Sequence, residues 1–159
     1  MVHQDSGERR GGIVKFSGSV IVKKKFAKFA DFSKSMDKIM SQANGMAAIE
    51  IRNEAIKLIA ENGDGEKVTR YGPKRDVNVS APGDPPNADT GRLIQSIKVE
   101  KDGLAYLVGT NLKYGAWLEF GTKDMAPRPW LSVAVRIISK DIKKFYEAAY
   151  SNFVKAFSE

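Results

Sequence analysis

The chain has 159 residues, of which 42% are apolar and 28% charged, enough for one domain with a modest core. Cysteine is absent, which excludes disulfides, thiolate nucleophiles and Cys-based zinc sites. No apolar run is long enough for a membrane span, and MVHQDSGERRGG lacks the apolar stretch of a secretory signal, so synthesis in a reducing cytoplasm is expected.

The net charge of +7 is uneven. Residues 1–30 hold seven Lys/Arg against two acids, residues 31–122 twelve against thirteen, and residues 123–159 seven against four. Both ends are basic and the middle is close to neutral. A basic end suits phosphate or an acidic protein partner, and equally a solubilising surface.

Residues 1–30 read as a basic N-terminal arm. Within it GIVKFSGSVIVKKKF (12–26) alternates β-branched residues around Gly18, the pattern of a short hairpin or arm strand. Lys23, Lys24 and Lys25 lie near its end. The domain proper is read as 31–159. From Asp31 or Ser33, either a possible N-cap, the period lengthens. Met36, Met40, Ala43, Ala47, Ile51, Ala55 and Leu58 form one stripe on a helix of about eight turns. Gly45 is a candidate kink, and Asn62-Gly63 a C-cap signal. The methionines read as core.

Residues 63–89 hold four Gly and four Pro and lack periodicity, so they read as a long protruding loop. VTRYGPKRDVNV within it suits a loose hairpin. Asp89 or Thr90 is placed to cap a short helix carrying Leu93, Ile94 and Ile97. KVEKDGLAYLVGT reads as a hairpin turning at Lys101-Asp102-Gly103. Thr110 or Asn111 precedes a short helix with Tyr114, Trp117 and Leu118, which Gly121 ends. Pro127 and Pro129 impose an extended path. A last helix from Trp130 carries the stripe Leu131, Val135, Ile138, Ile142, Phe145, Ala149, Phe153 and Phe157. The expected class is α+β: a small antiparallel sheet packed against the long helix of the N-terminal half and the C-terminal helix.

Catalytic residue types are scarce. His3 is the only histidine and lies in the arm, against a Ser-His-Asp triad or a His metal site. Asp84, Asp89 and Glu119 leave a carboxylate Mg²⁺ nuclease formally open, but no lysine follows Glu119 closely. GDG and YGPK lack phosphate-loop spacing and read as turns. Phe26 and Phe29 among lysines would allow stacking on bases, although the same stretch reads as an amphipathic lead-in to the helix. A nucleic-acid-binding accessory protein is the alternative those residues support. No cofactor and no catalytic residue is expected.

KYGAWLEFGTKDMAPRPWL (113–131) concentrates aromatics, glycines and prolines around one glutamate. Read physically, Tyr114, Trp117 and Phe120 anchor a short helix on the sheet, and Arg128, fixed between two prolines, faces Glu119 as a bridge partner. Four motifs occur in order: Asp89-Thr90-Gly91-Arg92-Leu93 after a Pro-rich loop, Val108-Gly109-Thr110, Tyr114 to Thr122, and Met125 to Leu131. This pattern resembles the neck, or tail-completion, proteins of long-tailed bacteriophages, a family also labelled head–tail connector or minor tail protein. The resemblance covers about residues 33–158 and leaves the arm without a counterpart.

The resemblance implies a structural, non-enzymatic virion protein of the neck, assembled in the bacterial host cytoplasm. It implies a six-fold or twelve-fold ring around the DNA channel, with head-closure, tail-terminator or tail-tube proteins as neighbours, genomic DNA passing nearby, and no membrane. Asp89, Thr90, Gly91, Tyr114, Trp117, Glu119, Phe120, Gly121, Thr122, Arg128 and Pro129 are its candidate fold-signature or interface residues. Lys23, Lys24 and Lys25 are the arm's candidates.

Overall fold

The structure is a computed structural model that describes residues 8–61, 65–70 and 74–157. The chain divides into two compact units, Met1–Lys38 and Ile39–Glu159. Helix α1 (Glu8–Glu61) begins in the first unit and ends in the second. The hairpin expected over 12–26 is therefore helix, and neither Asp31 nor Ser33 caps its start. Ser35 Oγ instead donates back to the Asp31 carbonyl within the helix (2.8 Å). Residues 12–26 lack the Asn-Gly or Asp-Gly pair that closes a tight hairpin, and the Lys/Ala-rich stretch after them favours helix. Lys23, Lys24 and Lys25 fall on α1, with side chains outside the described residues; His3 and Asn62-Gly63 also lie outside them.

The second unit follows α1 with two antiparallel hairpins, β1 (Glu66–Arg70) with β2 (Arg75–Val79) and β3 (Lys98–Asp102) with β4 (Ala105–Gly109). The first lies inside the 63–89 segment, where a loose hairpin was expected. The second turns at Gly103, whose φ is 60°, and pairs Val99 with Val108. Between them comes the short helix α2 (Arg92–Ser96); α3 (Lys113–Phe120), α4 (Leu131–Ile138) and α5 (Ile142–Phe157) follow. The class is α+β, as the pattern of periods implied.

The C-terminal helix is broken where the sequence reads as continuous. A 3₁₀ turn at Ser139–Asp141 separates α4 from α5. Ser139 Oγ donates to the Arg136 carbonyl (3.0 Å), the local bond by which serine competes with helix geometry.

Two apolar clusters hold the second unit. One buries Ala55 and Ile59 of α1 with Leu93, Ile97, Trp130 and Ala134. The other buries Ile39, Ala43 and Ala149, with Met46, Phe145 and Phe153 against them. The buried stripe of α1 runs through Ile39, Ala43, Ala47, Ala55 and Ile59. Met36 and Met40, read as core, are 40% and 38% exposed; Ile39 is the buried residue there. Gly45 is a point of close contact, since a Cβ there would lie 3.1 Å from Cζ of Tyr106. Beside it Asn44 Nδ2 donates to the Leu104 carbonyl (2.9 Å), and Tyr146 Oη donates to Asn44 Oδ1 (2.9 Å). One asparagine thus fixes the β3–β4 turn and α5 against α1.

Candidate functional site

The 113–131 segment is a corner in which two helix ends satisfy each other. α3 leaves the carbonyls of its last turn without helical partners, and α4 leaves its first amides likewise. No Ser, Thr, Asp or Asn immediately precedes α4 to cap it; the preceding residues are Arg128, Pro129 and Trp130. The missing acceptor comes from α3. Glu119 Oε2 accepts from the amides of Trp130 (2.8 Å) and Leu131 (2.9 Å), and Oε1 from that of Ser132 (2.9 Å).

Return bonds cap α3. The Gly121 amide donates to the Trp117 carbonyl (2.8 Å), the Arg128 amide to that of Leu118 (2.6 Å), and Trp130 Nε1 to that of Gly115 (3.1 Å). Burial of the Glu119 carboxyl acts to raise its pKa. Hydrogen bonds from the Ser132 side chain and the amides of Leu131, Trp130 and Ser132 outweigh that and hold it below the usual carboxylate range.

Gly121 permits the reversal between the helices. Its φ of 76° and ψ of −179° lie in a region open essentially only to glycine. Gly121 ends α3 as expected, but by an extended exit and not by the left-handed αL turn usual for a C-terminal glycine. A Cβ at Gly121 would meet the Met125 carbonyl oxygen at 2.8 Å. Thr122 and Met125 then close a short bridge, with the Thr122 amide donating to the Met125 carbonyl (2.8 Å). Pro129, half-buried, delivers the chain to Trp130.

Two expectations for this segment are corrected. The Glu119–Arg128 bridge is absent, because Glu119 is engaged by the α4 amides. Arg128 points its Nε at the Ser80 carbonyl instead (3.0 Å). Nor do three aromatics anchor α3: Tyr114 packs against the core, whereas Trp117 is 54% and Phe120 80% exposed. The anchor is Trp130, 2% exposed, which had been read only as the start of a helix.

Gly115 is the counterpart of Trp130 on α3. A Cβ there would lie 2.5 Å from Cγ2 of Thr110 and 3.3 Å from Cδ1 of Leu93. Thr110 cannot easily give way, since its hydroxyl hydrogen-bonds that of Ser96 and accepts from the Leu112 amide (3.1 Å). Thr110 thereby serves the start of α3, although the cap residue itself is Leu112. Gly115→Ala is expected to destabilise the domain by about 1 kcal/mol, overpacking exceeding the helix-propensity gain of alanine. A urea midpoint at or above that of the wild type would contradict this contact.

Beside the corner lies a groove of about 520 Å³. Ile59, Ser80, Pro86 and Leu93 are its buried lining residues. Val77, Val79 and Ser80 line it from β2 and the segment that follows; Tyr114, Trp117 and Leu118 line it from α3. Asp89, Thr90, Gly91 and Arg128 line it as well. Six of the eleven motif residues therefore share this groove, while Glu119, Phe120, Gly121, Thr122 and Pro129 belong to the corner or its outer face. Neither Asp89 nor Thr90 caps α2; that position is Gly91, at φ 71°, with no side-chain cap. Asp89 instead takes Arg70, Nη1 to Oδ2 at 3.2 Å.

The segment after β2 is tied down. The Gly83 amide donates to the Pro127 carbonyl (2.9 Å), and the Ala88 amide to that of Ile59 (3.2 Å). Among the described residues, no group of three or more His, Cys, Asp or Glu comes together. No helix among them is long and apolar enough to cross a membrane.

Residues 22–121 match the family described as "Bacteriophage HK97-gp10, putative tail-component". That span is well over half of the chain and holds α2, both hairpins, α3 and most of the groove. The chain belongs to this family. It is accordingly a structural component of the phage tail, in line with the resemblance drawn from its motifs. Comparison with curated proteins and with solved structures found no match.

Proposed function

We propose that this tail component acts at the neck, where it joins or completes the interface between the DNA-filled head and the tail as a closed ring around the DNA channel. Family membership over residues 22–121 is the observation that carries the reading. A six-fold or twelve-fold ring needs head-to-tail contacts that close. The exposed Trp117 and Phe120 on one side of α3, and the basic residues concentrated in 1–30 and 123–159, are surfaces suited to neighbouring subunits and to acidic head-closure, tail-terminator or tail-tube proteins. Tight phosphate binding would retard DNA passage, so the basic ends are assigned to acidic proteins rather than to the genome.

The test is electron microscopy of a lysate in which the gene carries an early stop codon in its phage or prophage. Full heads beside separate tails are expected. A version lacking residues 1–25 is expected to give the same separated parts while its purified second unit keeps the wild-type urea midpoint, its circular dichroism losing only the helical signal of α1 residues 8–25. Intact infectious particles from the stop-codon lysate would remove the neck assignment, and normal virions from the truncation would remove the arm from the joint.

A further inference from the structure

The groove beside the corner has a composition that the architecture of the fold does not require. Its lining joins apolar side chains, among them Val77, Tyr114, Trp117 and Met125, to three arginines, Arg70, Arg92 and Arg128, and one carboxylate, Asp89. Arg70 is already paired with Asp89. Among the described residues neither Arg92 nor Arg128 forms an ion pair, and only the Nε of Arg128 is committed, to the Ser80 carbonyl. Among the described residues the lining therefore carries three positive charges against one negative, and two of the cations are in no ion pair. Ser80, 3% exposed on the same lining, has a side-chain oxygen without a hydrogen-bond partner among the described residues.

The apolar surface does not stop at the groove. Trp117 lies on its lining and is 54% exposed; Phe120, one turn further along the same side of α3, is 80% exposed. A small ligand would leave both aromatics in water, whereas an extended chain covers groove and ridge together. Large exposed aromatics adjoining an apolar cleft mark contact sites, and arginine is the cation suited to a carboxylate there.

We propose that the groove receives an extended peptide segment of a partner protein, one that sets aliphatic side chains against Val77, Tyr114 and Trp117 and a neighbouring Asp or Glu carboxylate against Arg92 and Arg128. That the segment comes from an adjoining virion protein rests on the neck reading; the chemistry of the groove does not, and the experiment addresses the chemistry alone.

The full chain, labelled with ¹⁵N, is titrated with acetyl-Leu-Asp-Leu-amide and with acetyl-Leu-Asn-Leu-amide. Saturable amide shifts are expected at groove residues, with dissociation constants of order 1 mM for the Asp peptide. The Asn peptide, equal in size but uncharged, is expected to bind about fivefold more weakly. Arg92 is exposed on α2, so Arg92→Glu leaves the core intact and is expected to weaken the Asp peptide about fivefold while sparing the Asn peptide. Absence of saturable shifts up to about 10 mM, equal affinity for the two peptides, or shifts confined to surfaces outside the groove would each overturn the proposal. Such a failure leaves the stop-codon experiment untouched, and separated heads and tails would not rescue the groove.

Discussion

Trp130→Ala is expected to cost about 3–5 kcal/mol of unfolding free energy, the largest loss of any single replacement in the corner. Three terms combine at this residue. Its ring, 2% exposed, fills the space between Ala55 and Ile59 of α1, Leu93 and Ile97, and Ala134 of α4. Its indole N–H serves the Gly115 carbonyl, and its own amide is held by Glu119. Truncation opens a cavity that α1 and α4 cannot both close, because the corner fixes where α4 starts. Domains of this size hold about 5–15 kcal/mol in total, so the variant should melt about 10–20 °C lower or fail to accumulate. Trp130→Phe separates the terms: it keeps most of the volume, loses the bond to Gly115, and should cost about 1–2 kcal/mol. Urea denaturation of the pair is the check, and a Trp130→Ala loss below about 1 kcal/mol would mean the ring is not the keystone of the cluster.

The same corner shows what the sequence made legible and where reading stopped. The two hairpins could be read because alternation and turn residues are local: Gly103 sits at the bend of β3–β4, and the 66–79 strands flank a Gly-Pro pair. α3 was legible from Tyr114, Trp117 and Leu118, but which of its aromatics faces inward was not, because a helix of eight residues offers too few repeats to fix a face. On α1 the expected and the observed stripes share Ala43, Ala47 and Ala55 and differ at their ends, Met36 and Met40 against Ile39 and Leu58 against Ile59. Side-chain periodicity does not choose between them; the position of α5, which brings Ala149 to Ile39 and Ala43, does. The groove was invisible because its lining comes from six separate stretches between Ile59 and Arg128. Glu119 carried a signal in the sequence. A helix beginning after Arg-Pro-Trp has no local cap, so an acceptor must arrive from elsewhere, and Glu119 is the only carboxylate within the preceding segment that precedes the reversal at Gly121.

That role makes Glu119 the site of a pH-dependent contribution. Glu119→Ala is expected to destabilise the domain by about 2 kcal/mol at pH 7, the scale of losing a helix cap whose acceptor is charged. The carboxylate is only half-buried, and solvent screening keeps the figure well below that of a fully buried ion. Its pKa in the folded chain lies below the unfolded value, so ionised Glu119 favours the folded state. The contribution is complete above the ordinary glutamate pKa of about 4.3, and is lost as the pH falls below that through the lower folded value. The gap between wild type and Glu119→Ala should accordingly be constant from pH 7 down to about pH 5 and narrow on further acidification. Glu119→Gln keeps one acceptor oxygen but turns an amide group toward three N–H donors, so it should fall between the two and show no such narrowing of its own. Urea midpoints for the three proteins at pH 7, 5 and 3.5 decide it. A gap that stays fixed throughout would mean that Glu119 contributes independently of its charge; a gap that closes only for the carboxylate makes the charge on Glu119 the part of the corner that joins α3 to α4.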